Sequence, residues 1–227
     1  MANRSKKYRM AKETVDRTEG AVGLEEAVRL IKSFRSANFD QSVECVLQLG
    51  IDPKQADQIV RGSVSLPHGI GKHKTVVAFC QQGDVEAAKA AGAAEAGSDE
   101  LIEKITAGWS DFDVAVADPR LMSKVSKLGR ILGPQGKMPS PKNGTVTTDV
   151  IKAVEEFAAG KVEFKNDGGG NVHAVVGRQS FEADKLVENV EAFMQHIRKI
   201  KPASAKGTYI KQMCLSATMS PGVKVAV

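Results

Sequence analysis

"KTVVAFC", Lys74–Cys80, decides how this chain folds. Val76, Val77, Ala78, Phe79 and Cys80 follow one another without a polar break, the pattern of a strand buried on both faces. Such a strand needs helices on each side. "DVEAAKAAGA" (Asp84–Ala93) predicts the first, rich in alanine. "SDELIEKITAG" (Ser98–Gly108) predicts a second, with Ser98 as its cap. "DFDVAVADP" (Asp111–Pro119) repeats the buried strand, and "PRLMSKVSKLGRIL" (Pro119–Leu132) predicts a helix with Pro119 near its start. "TTDVIKAVEEFAAG" (Thr147–Gly160) closes the series, with Thr148 in the capping position. Strands alternating with helices predict a small parallel α/β unit.

The flanks are written differently. "GLEEAVRLIKSF" sets Leu24, Ala27, Val28, Ile31 and Phe34 at helical spacing, with Glu25 and Glu26 in the first turn. "SVECVLQLG" alternates Val43, Cys45, Leu47 and Leu49 with Ser42, Glu44, Val46 and Gln48, a one-sided strand. "DQIVRGSVSLP" predicts another strand ending at Pro67. Beyond Gly160, "KVEFKNDGGGNVHAVVGR" predicts two strands around an Asp167–Gly170 turn. "EADKLVENVEAFMQHIRKI" predicts a long amphipathic helix ending in cations, and "GTYIKQMCLSATMSPGVKV" is strand-like. The two flanks share a style that the middle lacks. The expected organisation is therefore an α+β outer domain from residues 1–67 and 160–227, interrupted by an inserted α/β domain at 68–159.

At 227 residues, 42% hydrophobic and 26% charged, the composition is that of an ordinary globular protein. No apolar run approaches the roughly 20 residues that span a bilayer. "MANRSKKYRMAK" is basic but lacks an apolar signal core, so a cytoplasmic location without membrane partners is expected. Cys45, Cys80 and Cys214 are odd in number and read as buried free thiols of a reducing compartment. With His68, His73, His173 and His196 they form no ligand pattern, so no metal site is expected. Net charge is +5. Residues 1–67 and 160–227 together carry +6 and residues 68–159 carry −1, so the basic character lies at the two ends. Solvated tails and a polyanion partner both answer that distribution.

A parallel α/β unit raises the question of a nucleotide cofactor. "FCQQGDVEAAKAAG" lacks G-x-G-x-x-G, and Gly83 stands alone, so a scaffold without cofactor is the reading and a nucleotide-dependent enzyme the alternative. "GRILGPQGKMPSPKNGTV" (Gly129–Val146) has three cations, no acid and seven glycines and prolines. It is not a P-loop, because Ile131 replaces the first glycine and Met138 the Ser/Thr. A fixed structural loop and a secondary polyanion contact through Arg130, Lys137 and Lys142 both fit it. G-x-S-x-G, H-E-x-x-H and C-x-x-C are absent. Asp111 and Asp113 start a strand more naturally than they hold a metal.

Folded RNA is read by shape, phosphate and 2′-OH contacts, which asks for an open strand surface with cations and small hydroxyl residues. "LSATMSPG" supplies Ser216, Thr218, Met219 and Ser220 without an acid. "SANFDQ" places Phe39 where a helix gives way to a strand; a core role and an exposed role are both open to it. Aromatic content of 5% excludes an RRM-like stacking platform.

"SKLGRILGPQGKMPSPKNGTV", "LGIDPKQADQIVRGSVSLPHGIGK", "FKNDGGGNVHAVVG", "KPASAKGTYIK" and "TMSP" together resemble the bacterial L-one family of large-ribosomal-subunit proteins, from about Lys6 to Val225. The resemblance implies an α/β fold: an outer domain of split β-α-β type with an inserted Rossmann-like three-layer domain. It also implies binding to the stalk region of 23S rRNA, a mobile stalk that assists release of exit-site tRNA, and repression of its own operon mRNA. It places the RNA surface on the outer domain at Asn38-Phe39-Asp40, Lys165-Asn166-Asp167, His173 and Thr218-Met219. Lys6, Lys7, Lys206 and Thr208 complete the candidate set with Ser216 and Ser220. No cofactor and no catalysis are implied. Asn38 stands where the family usually has Lys, and Ser220 where it has Gly, so a phosphate contact and a close backbone approach are both put in question.

Overall fold

A computed structural model describes residues 4–18, 20–34 and 37–227. The chain divides into two compact units, Met1–Gly71 with Val162–Val227, and Lys72–Lys161. The division falls slightly later than the expected joints because His68–Gly71 belongs to the first unit: the Asn189 side chain accepts from His68 N at 3.1 Å and donates to Gly69 O at 3.0 Å, and Ile70 is core.

In chain order the elements are α1 (Lys6–Arg17), α2 (Leu24–Ser33), β1 (Ser42–Leu49), β2 (Arg61–Val64), β3 (Val76–Phe79), α3 (Val85–Ala90), β4 (Ala93–Gly97), α4 (Asp99–Thr106), β5 (Val114–Ala117), α5 (Met122–Val125), α6 (Gly129–Leu132), α7 (Val150–Ala158), β6 (Val162–Lys165), β7 (Asn171–Arg178), α8 (Ala183–Lys199), β8 (Ile210–Ala217) and β9 (Val223–Val225).

In the first unit the sheet order is β7-β1-β8-β9, and β1 is antiparallel to both of its neighbours. β7 and β8 are therefore parallel to each other, joined through α8 with β1 between them: a split β-α-β. The alternation read in "SVECVLQLG" holds, with Val43, Cys45, Leu47 and Leu49 buried. They pack under α2 (Ala27, Val28, Ile31) and α8, whose Leu186, Val190, Phe193 and Ile197 form a helical stripe. β2 and β6 pair separately, Arg61 opposite Lys165 and Val64 opposite Val162. The other face of the four-stranded sheet carries Ser42, Glu44, Val46 and Gln48 of β1, none of them buried.

In the second unit β4-β3-β5 is a parallel sheet. Alternate residues of β3 enter two different cores. Val76, Ala78 and Cys80 pack with Ala88 of α3 and Val150, Val154 and Phe157 of α7. Val77 and Phe79 pack with Leu101, Ile105, Val125, Leu128 and Leu132 on the opposite side. This is the three-layer arrangement that "KTVVAFC" requires.

Local expectations need correction in five places. Ser98 occupies the cap of α4 but its side chain makes no capping bond, and α7 begins after Asp149 rather than Thr148. Pro119–Leu132 is not one helix: 3₁₀ turns at Pro119–Leu121 and Ser126–Leu128 divide it from α5 and α6. Cys45 and Cys80 are buried free thiols, whereas Cys214 is only half-buried. The basic start includes a helix, α1, whose N-cap Ser5 accepts from Tyr8 N at 3.2 Å. Among the described residues, no helix is long and apolar enough to cross a membrane.

Candidate RNA interface

The uncovered sheet face forms a strip along β1 that carries His173 and Ser216, with further sequence candidates at its two ends. One row across it is His173–Val46–Cys214–Lys224, the next is Val175–Glu44–Ser216, and a third is Asn171–Gln48–Gln212. From Ser42 to Gln48 the strip is about 20 Å long at the usual rise per residue.

At the Ser42 end, Ser220 N donates to Ala217 O at 3.0 Å and closes a β-turn with Thr218 and Met219 at its tip. Met219 is 56% exposed and Phe39 is 55% exposed. Phe39 is thus a surface residue and not part of the core. Met10, Ile59 and Val227 are also exposed in this unit; Phe39 and Met219 differ in lying together at the Ser42 end of the strip. Thr218 Oγ1 accepts from Ser42 N at 3.2 Å, while Thr218 N donates to Ser42 O at 3.1 Å, so the turn is stitched to the start of β1.

The same corner contains a cation that sequence inspection passes over. Arg178, opposite Ser42, donates through Nη1 to Asp40 O at 3.0 Å. The Asp40 carboxylate is turned to Ser180, accepting from its N at 3.0 Å and its Oγ at 2.8 Å. Arg178 therefore touches the Asp40 carbonyl and not its charge, and its guanidinium can serve a phosphate bidentately with the remaining donors. No spacing rule could have found it, because residues 40 and 178 meet only through the β1–β7 register.

At the far end the Asp167 carboxylate organises the glycine turn. Oδ1 accepts from Gly169 N at 2.8 Å and Asn171 N at 2.7 Å, and Oδ2 from Asn171 Nδ2 at 3.0 Å. These bonds, led by the Asn171 side chain, hold the Asp167 carboxyl down to about 2. His173 Nε2 lies 3.5 Å from Oδ2. Gly170 has φ +78°, and a Cβ there would lie 3.3 Å from Leu49 O, so the turn takes glycine at this position. Thr208 reaches this end because Gly50 lets it: a Cβ on Gly50 would lie 2.3 Å from Thr208 O. Lys165 and Lys206 are exposed.

Several candidates are placed for other work. Asn166 is buried, and its amide accepts from Val60 N at 3.0 Å and donates to Asp167 O at 3.0 Å. It shapes the turn. The Asp40 carboxylate is likewise committed, to Ser180. Ser220 Oγ is turned inward, accepting from Ala217 N at 2.9 Å and donating to Pro221 O at 3.0 Å. Lys6 and Lys7 are exposed in the first turn of α1, and neither register nor hydrogen bonding ties them to the strip.

In the second unit the Gly129–Val146 segment has a fixed shape. Gly144 adopts φ +71°, Thr145 Oγ1 accepts from Ser140 N at 2.8 Å, and Val146 bridges Ala117 as a short parallel extension of the sheet. Lys137 donates to Ser110 O at 2.9 Å and sits over the Phe112 ring, so it braces the loop. Arg130 and Lys142 are exposed. By the observed division, the first unit holds 20 Lys/Arg against 15 Asp/Glu, and the second holds 12 against 12.

A split β-α-β sandwich with one bare sheet face, interrupted by a three-layer parallel unit, defines the structural class. The family model of the ribosomal protein L1p/L10e family matches residues 31–221. The chain is 52% identical over 225 residues to the large ribosomal subunit protein uL1 of Kosmotoga olearia (strain ATCC BAA-1733 / DSM 21960 / TBF 19.5.1), covering 99% of this chain and 97% of that one. The chain belongs to the ribosomal protein L1p/L10e family. It is a ribosomal protein and not an enzyme.

Proposed function

We propose that this protein is a structural component of the large ribosomal subunit and binds 23S rRNA directly through the bare sheet strip of its first unit. The observation that carries the proposal is the exposed Phe39–Met219 pair beside Arg178, at the head of a strip bearing Ser216, Glu44 and His173. Aromatic and thioether groups pack on bases or riboses, and Arg178 with Lys165 and Lys206 meets phosphates. Ser216 and Glu44 accept or exchange hydrogen bonds with 2′-OH groups, which a row of cations alone would not select. An acid at the centre of the strip disfavours phosphate there and favours hydroxyl or amino groups. Asn38 adds no charge, and Arg178 supplies a cation at that corner. Asn166 and Asp40 hold the contact segments in shape. Arg130 and Lys142 provide a secondary contact from the second unit, as Lys6 and Lys7 do from α1.

The family resemblance extends the reading to a stalk that assists release of deacylated tRNA from the exit site, and to binding of the protein's own operon mRNA through the same strip. The test is a gel-shift series with the stalk fragment of 23S rRNA, an operon mRNA fragment and an unrelated RNA of equal length. Affinity falls with salt as counterions are released, while the preference for the stalk fragment persists at physiological salt. The mRNA fragment competes for the same site. Equal binding of stalk and unrelated RNA would overturn the proposal.

A further inference from the structure

Beneath Phe39 and Met219 lies a pair of amides that neither charge nor motif reveals. Gln41 is 1% exposed, in a unit whose interior is otherwise almost wholly apolar. Its Oε1 accepts from Met219 N at 2.8 Å, and its Nε2 donates to Gln179 Oε1 at 3.0 Å. Gln179 Nε2 in turn donates to Ile31 O and Phe34 O, both at 3.0 Å, which are carbonyls at the C-terminal end of α2. The two main chains close the arrangement, with Gln179 N donating to Gln41 O at 2.8 Å. Donation runs in one direction, from Met219 N at the tip of the Ala217–Ser220 turn through both side chains to the carbonyls at the end of α2. Gln179 accepts one bond and donates two from a single uncharged planar group, which a primary amide does without a change of protonation state.

One buried and one half-buried amide contribute little to stability beyond what apolar residues of the same size would give, because each hydrogen bond replaces one with water. What the pair does supply is position. It ties the residue two after Phe39 to the backbone of Met219 itself, and both to a helix end. We propose that the Gln41–Gln179 pair is a positioning device for RNA recognition: it presets the spacing of Phe39 and Met219 before RNA arrives, so that no ordering of the turn is required on binding. This inference rests on the strip being the RNA surface. Preorganisation acts on affinity chiefly through the dissociation rate and involves no counterion. Loss of the pair therefore raises Kd and leaves the salt slope alone. Loss of a direct phosphate contact lowers that slope by about one.

The experiment uses the full chain with the 23S stalk fragment and unrelated RNA, measuring Kd and dissociation rate at three salt concentrations, with melting temperature alongside. Gln41→Met and Gln179→Met keep the length and remove the hydrogen bonds. Each is expected to raise Kd for the stalk fragment about tenfold through faster dissociation, with an unchanged salt slope, and the double variant is no worse than either single one because one break opens the whole series. Asn189→Leu removes an equally buried amide that holds His68, Gly69 and Val176 instead. It is expected to lower the melting temperature while keeping the affinity, which separates positioning from stability alone. Gln179→Glu, at a half-buried site, keeps the acceptor for Gln41 and loses the donor to α2; it serves if Gln41→Met fails to fold, with the same expected rise. Folded Gln179 variants that bind like the natural chain overturn the inference while the strip reading stands. A natural chain without preference for the stalk fragment overturns the strip reading itself.

Discussion

The two units are built from similar material and differ in which faces of their sheets are covered. In Lys72–Lys161 every residue of β3 and β5 is buried, because α3 and α7 lie on one side and α4 to α6 on the other. In the first unit α2 and α8 cover one face only, and β1 alternates between core and open surface. A sheet covered twice can meet a partner only through loops and edges. A sheet covered once presents a wide, fixed array of side chains at strand spacing, which suits recognition of a folded nucleic acid. The first unit carries the excess cations as well, 20 against 15, and the second is balanced.

The strongest challenge to that comparison is to damage each core in turn. Phe79 and Phe193 are both fully buried. Each change to Ala should cost about 3–5 kcal/mol of its own unit's stability. By calorimetry and gel shift, Phe79→Ala is expected to loosen the second unit with rRNA affinity nearly intact, and Phe193→Ala to lower both. Equal losses of affinity from the two would erase the distinction between the units.

Removing the second unit outright is the next test. β2 and β6 bring Val64, seven residues before the chain leaves the first unit at Gly71, beside Val162, where it returns. Joining Gly71 to Val162 through a short linker should leave a folded protein with faster dissociation and a retained preference for the stalk fragment. A folded deletion variant without that preference would move recognition to the Gly129–Val146 loop.

Smaller effects sharpen the picture at the strip. Met219→Ala and Thr218→Val should each weaken rRNA binding by about 1–2 kcal/mol, from lost apolar contact and a lost hydroxyl. They differ in stability: Thr218→Val leaves Ser42 N without its acceptor and lowers the melting temperature, whereas Met219→Ala does not. Arg178→Ala should reduce the salt slope by about one, measured over a threefold range of salt.

The smallest effect is local. The Asp167 carboxyl is depressed to about 2 from 3.8, so its bonds to the turn are fully present above pH 4 and are lost as the pH falls towards 2. NMR titration of the Gly169 and Asn171 amides should report that midpoint, and a midpoint near 4 would mean the bonds do not persist in solution.

Periodicity made most of these elements legible, and its failures have physical causes. β4 reads "AAEAG", continuous in composition with the alanine-rich helix before it, and alanine has little strand preference of its own. It is a strand because β3 offers it a parallel edge. α1 is hidden in a basic segment with one buried residue, Ala11, too little for a periodic signal. The Pro119–Leu132 stretch has helical composition, yet it bends through 3₁₀ turns to fit Val125, Leu128 and Leu132 against the sheet.

By itself the sequence determined what depends on neighbours in the chain: a doubly buried strand set among helices, one-sided strands flanking it, a glycine turn after Asp167, and basic ends around a balanced middle. Side-chain period and backbone permissiveness are local properties, so a linear reading reaches them. Only the tertiary structure decided which candidates lie at the surface and which are held by other groups. It turned Phe39 and Met219 outward, buried Asn166, bound Lys137 to Ser110, and set Arg178 against Asp40 and Gln179 against Gln41. The Lys137–Ser110 bond follows from loop packing across 27 residues, and the Arg178–Asp40 and Gln179–Gln41 contacts from strand register between segments more than a hundred residues apart. A shift of one residue would exchange the faces of a strand, and a register set across that distance leaves no mark on either segment alone.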